Sequence, residues 1–176
     1  MRPNPKLIGS AIVCAAAVLA PAQAQTPAVA MSDPWARSMC EAWNADATLT
    51  SKLVESDWIK NDAGRGYKTM QIYRTDCPKS AHIEMQIALK DNKAACTYGG
   101  AARSVALSGA ADYLMWADTA RWREMGAGEY GPMRAMMLGR LNFEGPKLEA
   151  MGNMGPFENF LLLVGKVRGD WGTCPN

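Results

Sequence analysis

Residues 105–164 read VALSGAADYLMWADTARWREMGAGEYGPMRAMMLGRLNFEGPKLEAMGNMGPFENFLLLV. A helix-like segment gives way to a Gly-rich turn at 126–128, then to a Met-rich helix, a short strand within 139–145 and two further apolar helical pieces. Six methionines fall between Met125 and Met154. Methionine is unbranched and polarizable, so it fits irregular apolar surfaces and packs against ligands of variable shape. None of the six stands beside residues that would make a nucleophile, a base and an orienting group.

Upstream of this stretch the pattern changes period. Residues 67–73 are rich in aromatic and β-branched side chains. Ile83, Met85, Ile87 and Leu89 then alternate with Glu84 and Gln86, the clearest period-2 signal in the chain. Asp91-Asn92 makes a tight turn, residues 94–98 return as the hairpin partner, and Gly99-Gly100 ends that strand. Residues 105–107 read as a fourth short strand and 141–144 as a fifth. Ahead of the strands, Asp33-Pro34 opens a helix with Asp as cap and Pro at the first helical position. Trp35, Met39 and Trp43 follow at i, i+4 and i+8, and Leu49, Leu53 and Val54 extend the stripe toward Trp58, an amphipathic cover for a sheet. A helix, a hairpin-rich set of strands and helices around a late strand make an α+β domain: a five-stranded, mostly antiparallel sheet with helices covering one face.

The first residues belong to targeting rather than to the fold. Arg2 and Lys6 form a positive n-region, an apolar run extends from Leu7 to Ala20, and Ala22-Gln23-Ala24 offers a cleavage site before Gln25. The expected organisation is a signal peptide at 1–24, a flexible Pro/Ala-rich leader at 25–34 and one domain at 35–176. Arg2 and Lys6 account for the whole formal charge of +2, so the mature chain is neutral. A neutral chain has no general attraction to phosphate backbones, and nucleic-acid partners are not expected. Cys40, Cys77, Cys96 and Cys174 remain after cleavage. An even count in an exported chain reads as two disulfides, with three connectivities open. No C-x-x-C pair points to redox or metal chemistry instead.

No catalytic set assembles. His82 is the only histidine, and no nucleophile or orienting residue lies at a spacing that would use it. The glycines at 126 and 128 lack the strand–G-x-G-x-x-G–helix setting of a phosphate cradle. Glu124 and Glu129 flank a polar turn, where a carboxylate is solvated rather than tuned. The methionines supply thioethers suited to Cu(I), but they are interleaved with Leu138, Leu141 and Phe143, which indicates burial. Neither a cofactor nor a metal is expected, and the chain reads as no enzyme.

Three short motifs resemble the sterol carrier protein (lipid-transfer) family, in an exported bacterial-type form. The apolar triplet at 105–107 corresponds to a strand, Asp112-Tyr113-Leu114 to the start of a helix, and Gly139-Arg140-Leu141-Asn142-Phe143-Glu144-Gly145 to a late strand before a closing helix. On the residues alone, the long apolar layer favours a solid core. The resemblance implies instead that sheet and helices part around an apolar cavity. It further implies a non-catalytic carrier for a fatty acyl, sterol, hopanoid or quinone-like lipid, acting as a monomer with transient membrane contact. The expected lining is Met115, Trp116, Met133, Met136, Met137, Phe143, Phe157 and Leu161. A ligand-free interaction module and a Met-rich copper-binding protein are the alternatives.

Overall fold

The computed structural model describes residues 26–77 and 82–176. The signal peptide expected at 1–24 lies outside them. Helix α1 (Asp33–Ala45) begins one residue earlier than its sequence suggests, with Ser32 in the capping position. Asp33 is therefore the first helical residue, and its carboxylate accepts from the Ala101 backbone amide (3.0 Å) and from Arg37 (2.6 Å). The stripe of Trp35, Met39 and Trp43 is wholly inside. A π-helical turn (Thr48–Lys52) runs into the single turn α2 (Leu53–Glu55), and a 3₁₀ turn (Trp58–Lys60) delivers Trp58 to the core.

The sheet comprises β1 (Lys68–Arg74), β2 (Ile83–Lys90), β3 (Lys93–Ala101), β4 (Tyr113–Ala117) and β5 (Asn142–Glu144), in the order β3-β2-β1-β4-β5. Only β1 and β4 run parallel; the other three pairings are antiparallel. Asp91 and Asn92 both have positive φ, as a two-residue hairpin requires. Strand β3 does not stop at its glycines. Gly99 stays in the strand because α1 crosses directly above it: a Cβ there would lie 2.3 Å from the Ala36 carbonyl oxygen.

Two expected elements are corrected. Residues 105–107 form no strand, and Val105 is fully exposed. Its loop is drawn over the outer sheet face by Glu84, a buried carboxylate that accepts from the Arg103 and Ser104 amides (3.2 and 2.9 Å) and from the Ser104 hydroxyl (2.8 Å). Asp112-Tyr113-Leu114 opens β4, not a helix. Tyr113, Met115 and Ala117 are buried on alternate positions and run beside β1 in the register Met70–Tyr113 and Ile72–Met115. The helix waits for Asp118, whose side chain accepts from the Arg121 amide and caps α3 (Thr119–Gly126).

The remaining helices are α4 (Pro132–Met137), α5 (Lys147–Gly152) and α6 (Met154–Lys166). Trp43 of α1 meets Phe160 of α6 edge-on at 6.3 Å, so these two helices close over the sheet's inner face. The disulfides pair Cys40 with Cys96 and Cys77 with Cys174. The first fastens α1 to β3, and the second ties the end of β1 to the C-terminal tail. The stretch expected as a flexible leader is packed from residue 28 onward. Ala30 and Met31 are buried, and a parallel bridge joins Val29 to Asp170, with Ala30 N–H donating to the Asp170 carbonyl at 2.8 Å. Apolar Ala30 and Met31 have a core to enter, which composition alone does not reveal. Among the described residues no helix is long and apolar enough to cross a membrane.

Candidate functional site

The inner face of β1 and β4 presents Met70, Tyr113 and Met115 toward the helices. Above them Trp43, Leu49, Leu53, Trp58, Phe157 and Phe160 line a void of about 30 Å³. A space of that size holds a water or two, not a lipid. The expected cavity between sheet and helices is thus nearly filled by side chains.

A second, larger space opens beside it. Helices α4 and α5 precede and follow β5 in the chain, and residues of all three line a groove with a volume of about 400 Å³. Its walls are Met133, Met136, Met137, Leu141, Phe143, Lys147, Ala150 and Met151. The turn that carries the chain from β5 to α5 depends on Gly145, at φ +140°, where a Cβ would lie 2.4 Å from the Asp112 carbonyl oxygen. Ala150 lines both spaces. Between them stands an aromatic row: Phe143 lies 5.4 Å from Tyr113 and 6.0 Å from Phe157, ring centre to ring centre. The side chains of this row divide groove from void.

Helix α5 is held in place by a buried polar cluster that the sequence does not announce. Lys68 has no exposed side-chain surface and donates to Glu149 (2.7 Å) and to the Asn61 carbonyl (2.9 Å). Glu149 also accepts from the Tyr113 hydroxyl and from Asn61 (2.8 Å), while Trp58 Nε1 donates to the Tyr113 oxygen (2.8 Å). The Lys68 ammonium lies 4.5 Å from the centre of the Trp58 ring and 5.3 Å from that of Tyr113. Burial lowers the Lys68 pKa, and its bond and attraction to Glu149 offset this only in part. Burial raises the Tyr113 pKa, and the Glu149 carboxylate raises it further. A lysine in an otherwise alternating strand gave no signal of its own; the partner on a helix 81 positions away is what makes it bearable.

The eight residues expected to line a single site divide among different places. Met133, Met136, Met137 and Phe143 line the groove, and Met115 and Phe157 line the inner void. Trp116 faces the opposite side of the sheet, where it stacks on Tyr73 (5.8 Å), which in turn stacks on His82 (4.2 Å). The alternation of β4 puts it there, one residue out of phase with Met115. Leu161 is buried in solid core and touches neither space. Contributors missed in sequence are Lys147, Ala150 and Met151 in the groove, and the tryptophans and leucines from the first half in the void. Met151 and Lys147, one turn apart on α5, carried a usable helical spacing.

The other candidate groups are engaged elsewhere. The Tyr130 hydroxyl and Arg121 both donate to Glu124, which is half-buried and held below the ordinary carboxylate value rather than solvated as expected. His82, whose pKa burial lowers, meets Gln71 at 3.2 Å on the outer face.

No family model and no curated protein matches the chain. Among solved structures it is similar to a sterol carrier protein 2 at 18% identity, covering 78% of this chain and 98% of that one, with a TM-score of 0.49. It is similar to a conserved hypothetical protein of Thermus thermophilus at 19% identity, covering 82% and 96%, with a TM-score of 0.47. A sterol carrier protein domain of Helicoverpa armigera follows at 17% identity, covering 78% and 90%, with a TM-score of 0.38. Likenesses of this depth assign neither a family nor a ligand to the chain.

Proposed function

We propose that this protein is an exported, non-catalytic carrier that holds a hydrophobic molecule in the groove between α4, β5 and α5. The observation that carries the reading is the groove itself: an open space of about 400 Å³ walled chiefly by methionine, leucine and phenylalanine. That volume lies within the range of about 300–1,000 Å³ typical of small-molecule sites. Binding would draw on apolar burial, about 25 cal/mol per Å² removed from water, which favours a long lipid over a small polar ligand. An acyl chain, sterol, hopanoid or quinone-like tail laid in the groove meets Phe143 at its inner end. Rotation of that ring toward solvent would join the groove to the void behind it. The two disulfides support export, because such bonds persist in oxidising compartments.

The four methionines in the groove walls are also soft ligands, which makes copper the competing occupant. A mass spectrum of protein purified under native conditions separates the two. The reading expects a co-purified lipid-sized mass, released by organic solvent. Stoichiometric copper would contradict it. Replacing His82 with Ala is expected to leave ligand uptake unchanged, since the ring lies across the sheet from the groove. Loss of uptake in the folded variant would reopen a catalytic reading.

A further inference from the structure

Large apolar side chains on a protein surface are usually scattered singly. Here they are not. Seven are exposed among the described residues, and five of them sit on the two short helices that wall the groove: Met133, Met137 and Leu138 on or just after α4, and Leu148 and Met151 on α5. Leu148 is 84% exposed and Met137 78%. Each helix also carries a cation one turn before one of these residues: Arg134 before Leu138, and Lys147 before Met151. Both cations are exposed, and neither makes an ion pair among the described residues. The carboxylates closest in sequence to Lys147 are directed elsewhere. Glu149 is spent on Lys68, and Glu144 pairs with Leu114 on the outer face of the sheet.

We infer that the rim of the groove, formed by α4 and α5, docks onto the surface of an anionic lipid bilayer. The apolar tips of Met137, Leu138 and Leu148 would enter the headgroup–acyl boundary. Arg134 and Lys147 would lie level with lipid phosphates, their stems running along apolar surface. Juxtaposed cations add attraction to an anionic leaflet that fades with salt. Leucines and a lysine around an opening suit a fluid partner better than a fixed protein surface, where lysine is depleted and leucine is rarely an anchor. The inference rests on the carrier reading, to which it adds the place where ligand would pass between protein and membrane.

Vesicle flotation with ligand-free protein tests the docking alone. The vesicles are phosphatidylcholine mixed with phosphatidylglycerol, or phosphatidylcholine by itself. Wild type is expected to float with the anionic vesicles, less so with neutral ones, and to be released by salt. Arg134→Gln is expected to weaken binding about fivefold, as for one cation near an anionic surface. Leu138→Ser with Leu148→Ser is expected to weaken it at least about tenfold. These three residues do not line the groove. Uptake of a fluorescent fatty acid, measured without vesicles, should therefore be unchanged in the same variants. If wild type stays in solution with anionic vesicles, or the variants float as well as it does, the docking inference fails while the carrier reading stands. If light scattering shows a dimer that Leu148→Ser dissolves, the surface belongs to a second copy of the chain and the inference likewise fails. If fatty acid uptake is absent while flotation is intact, the carrier reading fails instead.

Discussion

Lys68 and Glu149 are the pair on which the groove's geometry depends. A fully buried ammonium is tolerable only with a charged partner and acceptors around it. Glu149 supplies the charge from α5, and the Asn61 carbonyl completes the set. Removing the carboxylate in Glu149→Ala leaves Lys68 uncompensated, at an expected cost of about 3–5 kcal/mol. Urea unfolding measures it, and a loss below about 1 kcal/mol would mean that the pair holds nothing. Two buried carboxylates contribute to the acid limit of stability. Burial alone would raise the Asp112 pKa, but Arg65 at 2.5 and 2.9 Å and the amides of Ser108 and Thr69 outweigh it and hold it below the ordinary value. In Glu84 burial is likewise outweighed, there by bonds from Ser104, Gln71 and Gln86. With folded-state values depressed, the unfolded chain takes up protons first as pH falls below about 4. The stability these groups contribute is therefore complete above that pH and drains away as pH drops through their folded-state values. Urea midpoints measured from pH 6 downward should fall steeply below about pH 4, and Asp112→Asn should flatten the fall. A midpoint independent of pH would contradict the assignment.

At the scale of elements, what could be read in the sequence depended on whether one face of a strand was polar. β2 announced itself because Glu84 and Gln86 alternate with Ile83, Met85 and Ile87. β4 did not, since Leu114 and Trp116 on its outer face are apolar and half-buried too, which hides the period of 2. The same masking sent Trp116 to the wrong side of the sheet. The apolar triplet at 105–107 looked like a strand, yet its position is set by the backbone amides of Arg103 and Ser104 bonding Glu84, a contact that only the folded sheet creates. The Met-rich wall was legible as an apolar helical stripe. The inner void was not, because Trp43, Leu49, Leu53 and Trp58 reach it from the other half of the chain. The pairing of the cysteines also came only with the fold. Cys40–Cys96 spans 56 residues and Cys77–Cys174 spans 97. By loop-closure entropy each is expected to add about 4–5 kcal/mol relative to the open chain. Peptide mapping without reductant should recover these two pairs, and reduction should lower the urea midpoint markedly. Recovery of Cys40 with Cys77 would contradict the placement of α1 over β3.

For the whole molecule, one arrangement accounts for the site. A sheet closed on its inner face by α1 and α6 leaves its β5 edge to two short helices that cannot fill the space between them. The methionines that looked like a buried stripe are therefore the walls of an open groove. Whether a hydrophobic ligand occupies this groove is decided by titrating a fluorescent fatty acid into wild type and Met136→Trp. Met136 is half-buried on the groove wall. The larger ring would fill volume while staying apolar, at a cost of about 1–3 kcal/mol in stability. A folded Met136→Trp protein that binds the probe at least about tenfold more weakly, a difference of about 1.4 kcal/mol, is the predicted result. Equal affinity in the two proteins would place the ligand elsewhere and contradict the account.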